Sequence, residues 1–300
     1  MLDFKYGDIY IDPIKGHKIA CLDATKKDDI QKLMLDEKAS LAIHDPPYNI
    51  SINKEFSRIA LSQYMDFSEK YIDNTILYLK ENSSLYVWLG ADIKNNLQPF
   101  IEFCLLMRNK QTKLKSYITM RNQKGFGTQK NWMFLRQELL YYVIGDPIFN
   151  IEGDSTEIKR GKNGYTMKDK NGNIVHNQDT CKSENIRAGN VWYDITQVLY
   201  NVEENISGCY AQKPLKAIER IVKASSGEND LIIDFFGHSG TTLLAAEKLN
   251  RKCYSIDISP DYCQIMKARL EHYRKSGFTG FGRDKIIIDG KTRKDLDILI

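Results

Sequence analysis

The chain has 300 residues, 42% of them hydrophobic and 27% charged, which is enough for one large globular domain or two small ones. No apolar run approaches the roughly 18 residues of a membrane-spanning helix, and the first residues lack the apolar stretch of a secretory signal. The six cysteines are scattered without a Cys-x-x-Cys pair, which argues against a zinc cage or a disulfide framework. We therefore expect no metal, no membrane and a reducing, cytoplasmic location.

The amino-terminal part alternates short apolar segments with helical ones. Strands are predicted at 18–22, 40–44 and 84–89, and helices at 28–35 and 62–79. Strands alternating with helices of this length indicate βαβ units and a parallel sheet.

The segment between Glu102 and Glu138 is basic, although the net charge of the chain is only +4. It contains no acidic residue, and aromatic side chains are interleaved with its lysines and arginines. Cations that neutralise phosphates beside aromatics that stack on bases favour a nucleic-acid surface over a merely solvated one. The residues expected to contact nucleic acid are Lys113, Lys115, Arg121, Lys124 and Lys130.

Residues 147–205 are rich in Gly, Asn, Lys and Asp, and the Asn171-Gly172 step is typical of a hairpin turn. We interpret this segment as a loop-rich insert. The α/β pattern then resumes, with helices predicted at 212–224, 241–249 and 260–275 and strands at 230–235 and 252–258.

The segment Asp45-Pro46-Pro47-Tyr48 follows the strand at 40–44, at the edge where open α/β sheets bind ligands. The exocyclic amine of a nucleobase is a poor nucleophile because its lone pair is delocalised into the ring. The Asp45 carboxylate and the Pro46 carbonyl can each accept one N–H of such an amine, and Tyr48 offers a flat face to an extruded base. A rigid turn with a surface tyrosine is the structural alternative.

A second motif, Leu231 to Thr242, combines an apolar strand, a turn with Gly237 and Gly240, and a helix start. This arrangement is typical of nucleotide sites in doubly wound folds, and Asp257 follows about twenty residues later, where an acidic residue typically binds ribose. Since the turn reads Gly-x-x-Gly rather than Gly-x-Gly-x-x-Gly, it does not specify a dinucleotide.

Together, Asp-Pro-Pro-Tyr and the downstream Asp-x-Phe-Gly-x-Ser-Gly-Thr-Thr resemble the S-adenosylmethionine-dependent DNA amino-methyltransferases, in the motif order of their beta class. The resemblance implies a Rossmann-like, mostly parallel sheet with helices on both faces, in circularly permuted order, with an inserted target-recognition region. It assigns Asp45, Pro46, Pro47 and Tyr48 to catalysis. It assigns to the cofactor pocket Asp23, His44, Asp45, Lys213, Asp234, Phe235, Phe236, Gly237, Ser239, Gly240, Thr241 and Asp257.

The same resemblance divides the chain into four parts: a catalytic half at 1–146 that includes the basic stretch 108–136, a target-recognition insert at 147–205, a cofactor-binding half at 206–283, and a tail at 284–300. It implies a bacterial or phage enzyme that acts on double-stranded DNA. A cognate restriction endonuclease and a homodimer are further expected partners.

Aspartate at the start of the catalytic motif favours adenine N6 within this family, with cytosine N4 as the alternative. A nicotinamide-dependent oxidoreductase explains the glycine turn and Asp257 but not the catalytic motif or the basic stretch. A non-catalytic DNA-binding protein is the third hypothesis, and the intact motifs disfavour it.

Overall fold

The computed structural model describes residues 4–49, 60–90, 96–126, 130, 132–150, 155–158, 165–177, 185–198, 201, 203–206, 209, 211–281, 287–288 and 291–292. The helices are α1 (Lys27–Met34), α2 (Leu61–Leu77), α3 (Phe100–Arg108), α4 (Leu215–Ser225), α5 (Thr241–Lys248) and α6 (Pro260–Ser276). The strands are β1 (Ile9–Ile11), β2 (Lys18–Cys21), β3 (Ala39–His44), β4 (Leu79–Leu89), β5 (Lys113–Phe126), β6 (Phe134–Ile144), β7 (Ser155–Ile158), β8 (Tyr165–Lys168), β9 (Ile174–Asn177), β10 (Asn185–Arg187), β11 (Val191–Trp192), β12 (Leu231–Asp234), β13 (Lys252–Asp257), β14 (Ile287–Ile288) and β15 (Lys291–Thr292).

A nine-stranded sheet organises the fold, in the order β1-β2-β13-β12-β3-β4-β6-β5-β11. The five strands from β2 to β4 in this order pair in parallel, whereas β1 and β6 run antiparallel to their neighbours. Strand β3 lies beside β12 although nearly two hundred residues separate them. The carboxyl ends of the central strands therefore meet at one edge of the sheet.

Helices cover both faces of this sheet because the central strands are apolar on both sides. In β3, Leu41 and Ile43 pack toward α4, α5 and α6, whereas Ala42 packs toward α1, α2 and α3. This alternation follows the two-residue period of a strand, and strands buried on both faces are typical of parallel sheets. The predicted α/β class, with a mostly parallel sheet and helices on both faces, is confirmed.

The structure adds elements that the apolar pattern did not predict. Helix α3 and strands β5 and β6 occupy the basic stretch, where charged side chains mask the period of the buried positions. Helix α4 begins at Leu215 rather than 212, because Pro214 is extended and acts as its N-cap. None of the helices described is both long and apolar enough to traverse a lipid bilayer.

The predicted insert contains two small antiparallel ribbons, β7 with β10 and β8 with β9. The predicted hairpin turn at Asn171-Gly172 is confirmed, and Gly172 has a φ of +83°. Strand β11, by contrast, extends the main sheet by pairing with β5. The insert boundaries and the circular permutation stay predictions, and Lys124 lies where side chains are outside the described set.

Candidate active site

The two sequence motifs lie side by side at the carboxyl edge of the sheet. Leu41 and Ala42 of β3 pair in parallel with Ile232 and Ile233 of β12. The residues that follow the two strands therefore lie next to each other at the carboxyl edge of the sheet. A cleft between the motifs contains the Asp45 and Asp234 carboxylates. It is lined by Ile43, Asp45, Trp88, Lys213, Ile218, Asp234, Phe236, Gly237, His238, Ser239, Thr241 and Thr242.

The Asp45 carboxylate is hydrogen bonded at both oxygens. The Lys213 ammonium donates to Oδ2 at 2.6 Å, and the Tyr48 hydroxyl donates to Oδ1. Burial raises the pKa of the Tyr48 hydroxyl well above its ordinary value, with the Asp45 charge acting in the same direction. Tyr48 therefore stays protonated and serves as a donor to this carboxylate.

Lys213 lies between two aromatic rings, with its Nζ 5.3 Å from the Tyr48 ring centre and 5.2 Å from that of Trp88. The position is fixed by the start of α4, where Glu204 accepts the Leu215 N–H at 2.6 Å. The free volume of the cleft is only about 20 Å³ with the Lys213–Asp45 ion pair formed.

The two prolines after Asp45 restrain the backbone that follows β3. Pro46 is buried, and the Pro47 carbonyl accepts the Tyr64 hydroxyl of α2 at 2.9 Å. Neither proline has an N–H to donate, and the ring fixes φ. The backbone at Asp45 and Pro46 is thus restrained from two sides.

The glycine turn after β12 packs closely on α6. A Cβ at Gly237 would lie 2.4 Å from Met266 Sδ and 2.4 Å from Ser255 Oγ. The Gly237 N–H donates to the Ile256 carbonyl at 2.7 Å. Gly240 has a φ of +76°, a conformation that favours glycine. Together they let the backbone turn tightly into α5 beside the cleft.

Two carboxyl groups flank this turn in desolvated positions. Burial raises the pKa of Asp234 to about 7, against hydrogen bonds from Thr242 and from the Phe236 N–H. Burial also raises the pKa of Asp257 to about 6, although its oxygens accept the N–H groups of His238 and Ser259 at 2.9 Å each. Both are acceptors whose charge a hydroxyl or ammonium donor would stabilise.

His44 was expected to face the reactive end of the cofactor, and the structure places its side chain inside the fold, bonded to neighbouring elements. Its ring is fully buried and stacks on Phe235 with centroids 5.1 Å apart. The Phe235 N–H donates to Nδ1 at 3.2 Å, and Nε2 lies 2.8 Å from the Thr75 hydroxyl, which itself donates to the Tyr71 carbonyl. Nε2 must then carry the proton, so His44 joins β12 to α2 and positions the turn.

Burial lowers the pKa of His44 to about 3, below its ordinary value of 6.5. Below pH 6.5 the unfolded chain therefore binds a proton that the folded protein does not, and stability falls as pH decreases from 6.5 toward 3. We expect His44→Gln to be less stable than wild type at pH 7. The difference between the two proteins in free energy of unfolding should be about 2 kcal/mol smaller at pH 5 than at pH 7. Urea unfolding at both pH values measures this, and an unchanged difference would contradict the buried neutral imidazole.

Two other residues predicted for the cofactor pocket, Phe235 and Asp23, have side chains that are buried or hydrogen bonded within the protein. Phe235 is 1% exposed, and Asp23 accepts both the N–H and the hydroxyl of Thr25, at 2.9 and 2.7 Å. Trp88 was expected in the core rather than against a base, and it is fully buried in the core. It also lines the cleft, which its place at the carboxyl end of the strand predicted at 84–89 could have signalled.

A larger cavity, of about 580 Å³, lies between α4 and the β5–β6 pair. Its walls include Lys115, Tyr141, Trp192 and Arg220, and it contains neither motif. Arg220 is fully engaged with Asp194 through two hydrogen bonds of 3.0 and 2.7 Å. We therefore place the chemistry in the smaller cleft.

The residues expected to bind nucleic acid separate along β5. Lys113 lies where β5 starts and pairs with Val143 of β6, which in turn pairs with Ser84 in the first half of β4. Arg121 lies eight residues further along and pairs with Arg136, beyond the last residue of β6 that pairs with β4. At about 3.3 Å per residue, Lys113 and Arg121 are about 25 Å apart along the strand. Arg121 and the exposed Lys130 are thus on the side of the cleft, whereas Lys113 and Lys115 are not.

Comparisons with known proteins agree with this geometry. The Type II methyltransferase M.BamHI of Bacillus amyloliquefaciens is 27% identical over 254 residues, which are 82% of this chain and 56% of that protein. This chain thus spans little more than half the length of that relative.

Two solved structures share the fold at low identity. The PvuII DNA methyltransferase, described as cytosine-N4-specific, superposes with a TM-score of 0.61 at 17% identity, covering 88% of this chain and 89% of the other. The M1.HpyAVI–SAM complex superposes with a TM-score of 0.56 at 18% identity, covering 84% and 98%.

A family model described as DNA methylase, which groups N6 and N4 enzymes, matches residues 39–268. The match includes β3 with the catalytic motif and the whole glycine turn. The resemblance read from those motifs is confirmed, and the chain belongs to the N6/N4 DNA methylase family.

Proposed function

We propose that this protein transfers a methyl group from S-adenosylmethionine to the N6 of an adenine that is extruded from duplex DNA. The observation that carries the proposal is that Asp45 lines the same cleft as Gly237 and Ser239 of the glycine turn. A carboxylate acceptor for an amine and a turn suited to a nucleoside thus meet at one sheet edge.

The residues of the cleft suit an adenosyl ligand with an amino-acid tail. Asp257 lies beside the cleft, where it accepts the His238 N–H of the glycine turn, and it is a desolvated acceptor for ribose hydroxyls. The Trp88 Nε1–H is buried and has no hydrogen-bond partner among the described residues, so a ligand acceptor would satisfy it. S-adenosylmethionine supplies an electrophilic methyl group when bound.

In the proposed mechanism, Asp45 and the Pro46 carbonyl each accept one N–H of the target amine. These bonds direct the nitrogen lone pair toward the methyl group, and Asp45 retains the proton that the amine must lose. Lys213 donates to Oδ2 of Asp45 at 2.6 Å, and a carboxylate oxygen can accept a second hydrogen bond, from the amine, beside it. Tyr48 holds the other oxygen and packs beside the incoming base.

Adenine is favoured over cytosine because the catalytic motif begins with aspartate. A cytosine N4 target is the alternative, since the family includes both kinds of enzyme. We further propose the remaining expectations from the family: Type II restriction–modification activity, a cognate endonuclease, a homodimer, a bacterial or phage cytoplasmic location, and base reading by residues 147–205.

The DNA is proposed to lie over the carboxyl edge of the sheet. Replacing Arg121 and Lys130 together by alanine should weaken binding, and the slope of log K against log salt should become shallower by about 1 for each phosphate that is no longer neutralised. Replacing Lys113 and Lys115 removes the same charge from the other end of β5 and is the matched control. Binding measured over a salt series distinguishes them, and equal losses of affinity for both pairs would place DNA elsewhere.

The function itself is tested in cells and with isolated ligands. DNA from cells that express the protein, sequenced with detection of modified bases, should contain N6-methyladenine in one sequence context. Calorimetry should show binding of S-adenosylmethionine and none of a nicotinamide dinucleotide. Binding of only the dinucleotide would favour the oxidoreductase hypothesis.

A further inference from the structure

The β5–β6 hairpin extends well beyond the level of the catalytic motif. His44, the last residue of β3, pairs with Val87, which pairs with Leu140 of β6. Strand β6 begins six residues earlier, at Phe134, opposite Phe126. At about 3.3 Å per residue, the hairpin projects about 20 Å past the end of β3, toward the side of the cleft.

Two large apolar side chains precede β6 on this projection. Trp132 is 93% exposed and Met133 is 63% exposed. Among the described residues, no other large hydrophobic side chain is as exposed as Trp132. Exposed apolar surface of this size, beyond the paired part of the hairpin, favours a contact with another molecule.

The surroundings of this pair are basic. Arg121 and Arg136 lie opposite each other across the hairpin, and Lys130 is two residues before Trp132. The nearby Glu138 is buried and paired with Arg136 at 3.2 Å. This charge is complementary to phosphates and favours nucleic acid over an apolar protein surface.

We propose that Trp132, supported by Met133, is a wedge that enters the base stack of duplex DNA and fills the space left by the extruded target base. The proposal rests on the proposed function. Extruding a base costs its stacking and pairing, and an inserted side chain that stacks on the neighbouring bases offsets part of that cost. Strand β6 is two strands from β3, about 10 Å across the sheet, so the ribbon runs beside the duplex above Asp45.

The test uses the full chain and a duplex with the sequence that wild type methylates. Trp132→Ala should lower kcat/KM on the paired duplex by about 10- to 100-fold. Activity should recover when the target adenine is mispaired, because extrusion is then less costly. With 2-aminopurine at the target, the fluorescence increase on binding should diminish with Trp132→Ala and persist with Trp132→Phe.

Ile14→Ala is the matched control, since Ile14 is 70% exposed between β1 and β2 at the other edge of the sheet. It should behave as wild type, and both alanine variants should keep S-adenosylmethionine affinity and thermal stability. Three results would each overturn the wedge: unchanged 2-aminopurine fluorescence with Trp132→Ala, equal loss of activity on paired and mispaired duplexes, or a change of oligomeric state alone. Failure of the proposed function is distinct, because wild type itself would then methylate no duplex.

Discussion

Asp45→Asn is expected to lower kcat for methyl transfer by about 10³-fold, the scale on which removal of one preorganised electrostatic group acts. The amide keeps the shape of the side chain but offers a single acceptor oxygen and cannot retain the proton of the amine. Because Asp45 is also the partner of Lys213 at 2.6 Å, the variant leaves a buried ammonium unpaired and lowers stability as well.

A matched variant separates the effect of Asp45→Asn on kcat from its effect on the free energy of unfolding. Asp194→Asn breaks a comparable ion pair, since Arg220 is 3% exposed and bonded to Asp194 at 2.7 Å. Its partner Arg220 lines the larger cavity, and neither residue lines the cleft, so Asp194→Asn should lower the free energy of unfolding without lowering kcat. If the two variants lost activity alike, Asp45 would be a structural residue only.

The second large effect is expected from Gly237→Ala. The new methyl group would lie 2.4 Å from both Met266 Sδ and Ser255 Oγ, and Met266 is fully buried. Overpacking of this kind costs about 1–3 kcal/mol, and displacing the turn to relieve it would weaken S-adenosylmethionine binding by about 10- to 100-fold.

Calorimetric titration with S-adenosylmethionine measures this effect. Gly189→Ala is the control, because a Cβ there meets no atom within 4 Å. Cofactor affinity equal to wild type in Gly237→Ala would mean that the turn does not bind the cofactor.

Sequence alone predicted those parts of the site whose cause is local. Asp45 follows an apolar strand directly, and the turn at Gly237 and Gly240 follows another. Each motif therefore identified a strand end, and parallel pairing brings such ends to one edge. The resemblance supplied the cofactor and the reaction, which spacing alone did not specify.

The parts that sequence missed depend on long-range packing. The Lys213–Asp45 pair joins residues 168 positions apart, and the His44–Phe235 bond joins residues 191 apart. A local sequence pattern does not specify which residues from distant segments contact each other. Lys213 was therefore predicted near the cofactor but not as the ion-pair partner of Asp45. His44 was predicted to face the cofactor from its position in the motif, and its burial against Phe235 was not visible in the sequence.

The surface charges of the basic stretch also depend on long-range structure. In the sequence these charges form one continuous run and suggested a single interface, but β5 places Lys113 and Arg121 at opposite ends of the strand. The alternation of β5 and β6 was hidden because their exposed positions carry charge and aromatic residues together. Only the register separates the cations beside the cleft from those remote from it.

We propose that Asp45 holds an exocyclic amine beside a methyl donor bound at the glycine turn. The most direct test is to incubate the protein and duplex DNA with S-adenosylmethionine that carries a deuterated methyl group, and to analyse the nucleosides by mass spectrometry. We expect deuterated N6-methyladenine with wild type and none with Asp45→Ala. Label on carbon 5 of cytosine, or label on adenine that persists in Asp45→Ala, would contradict it.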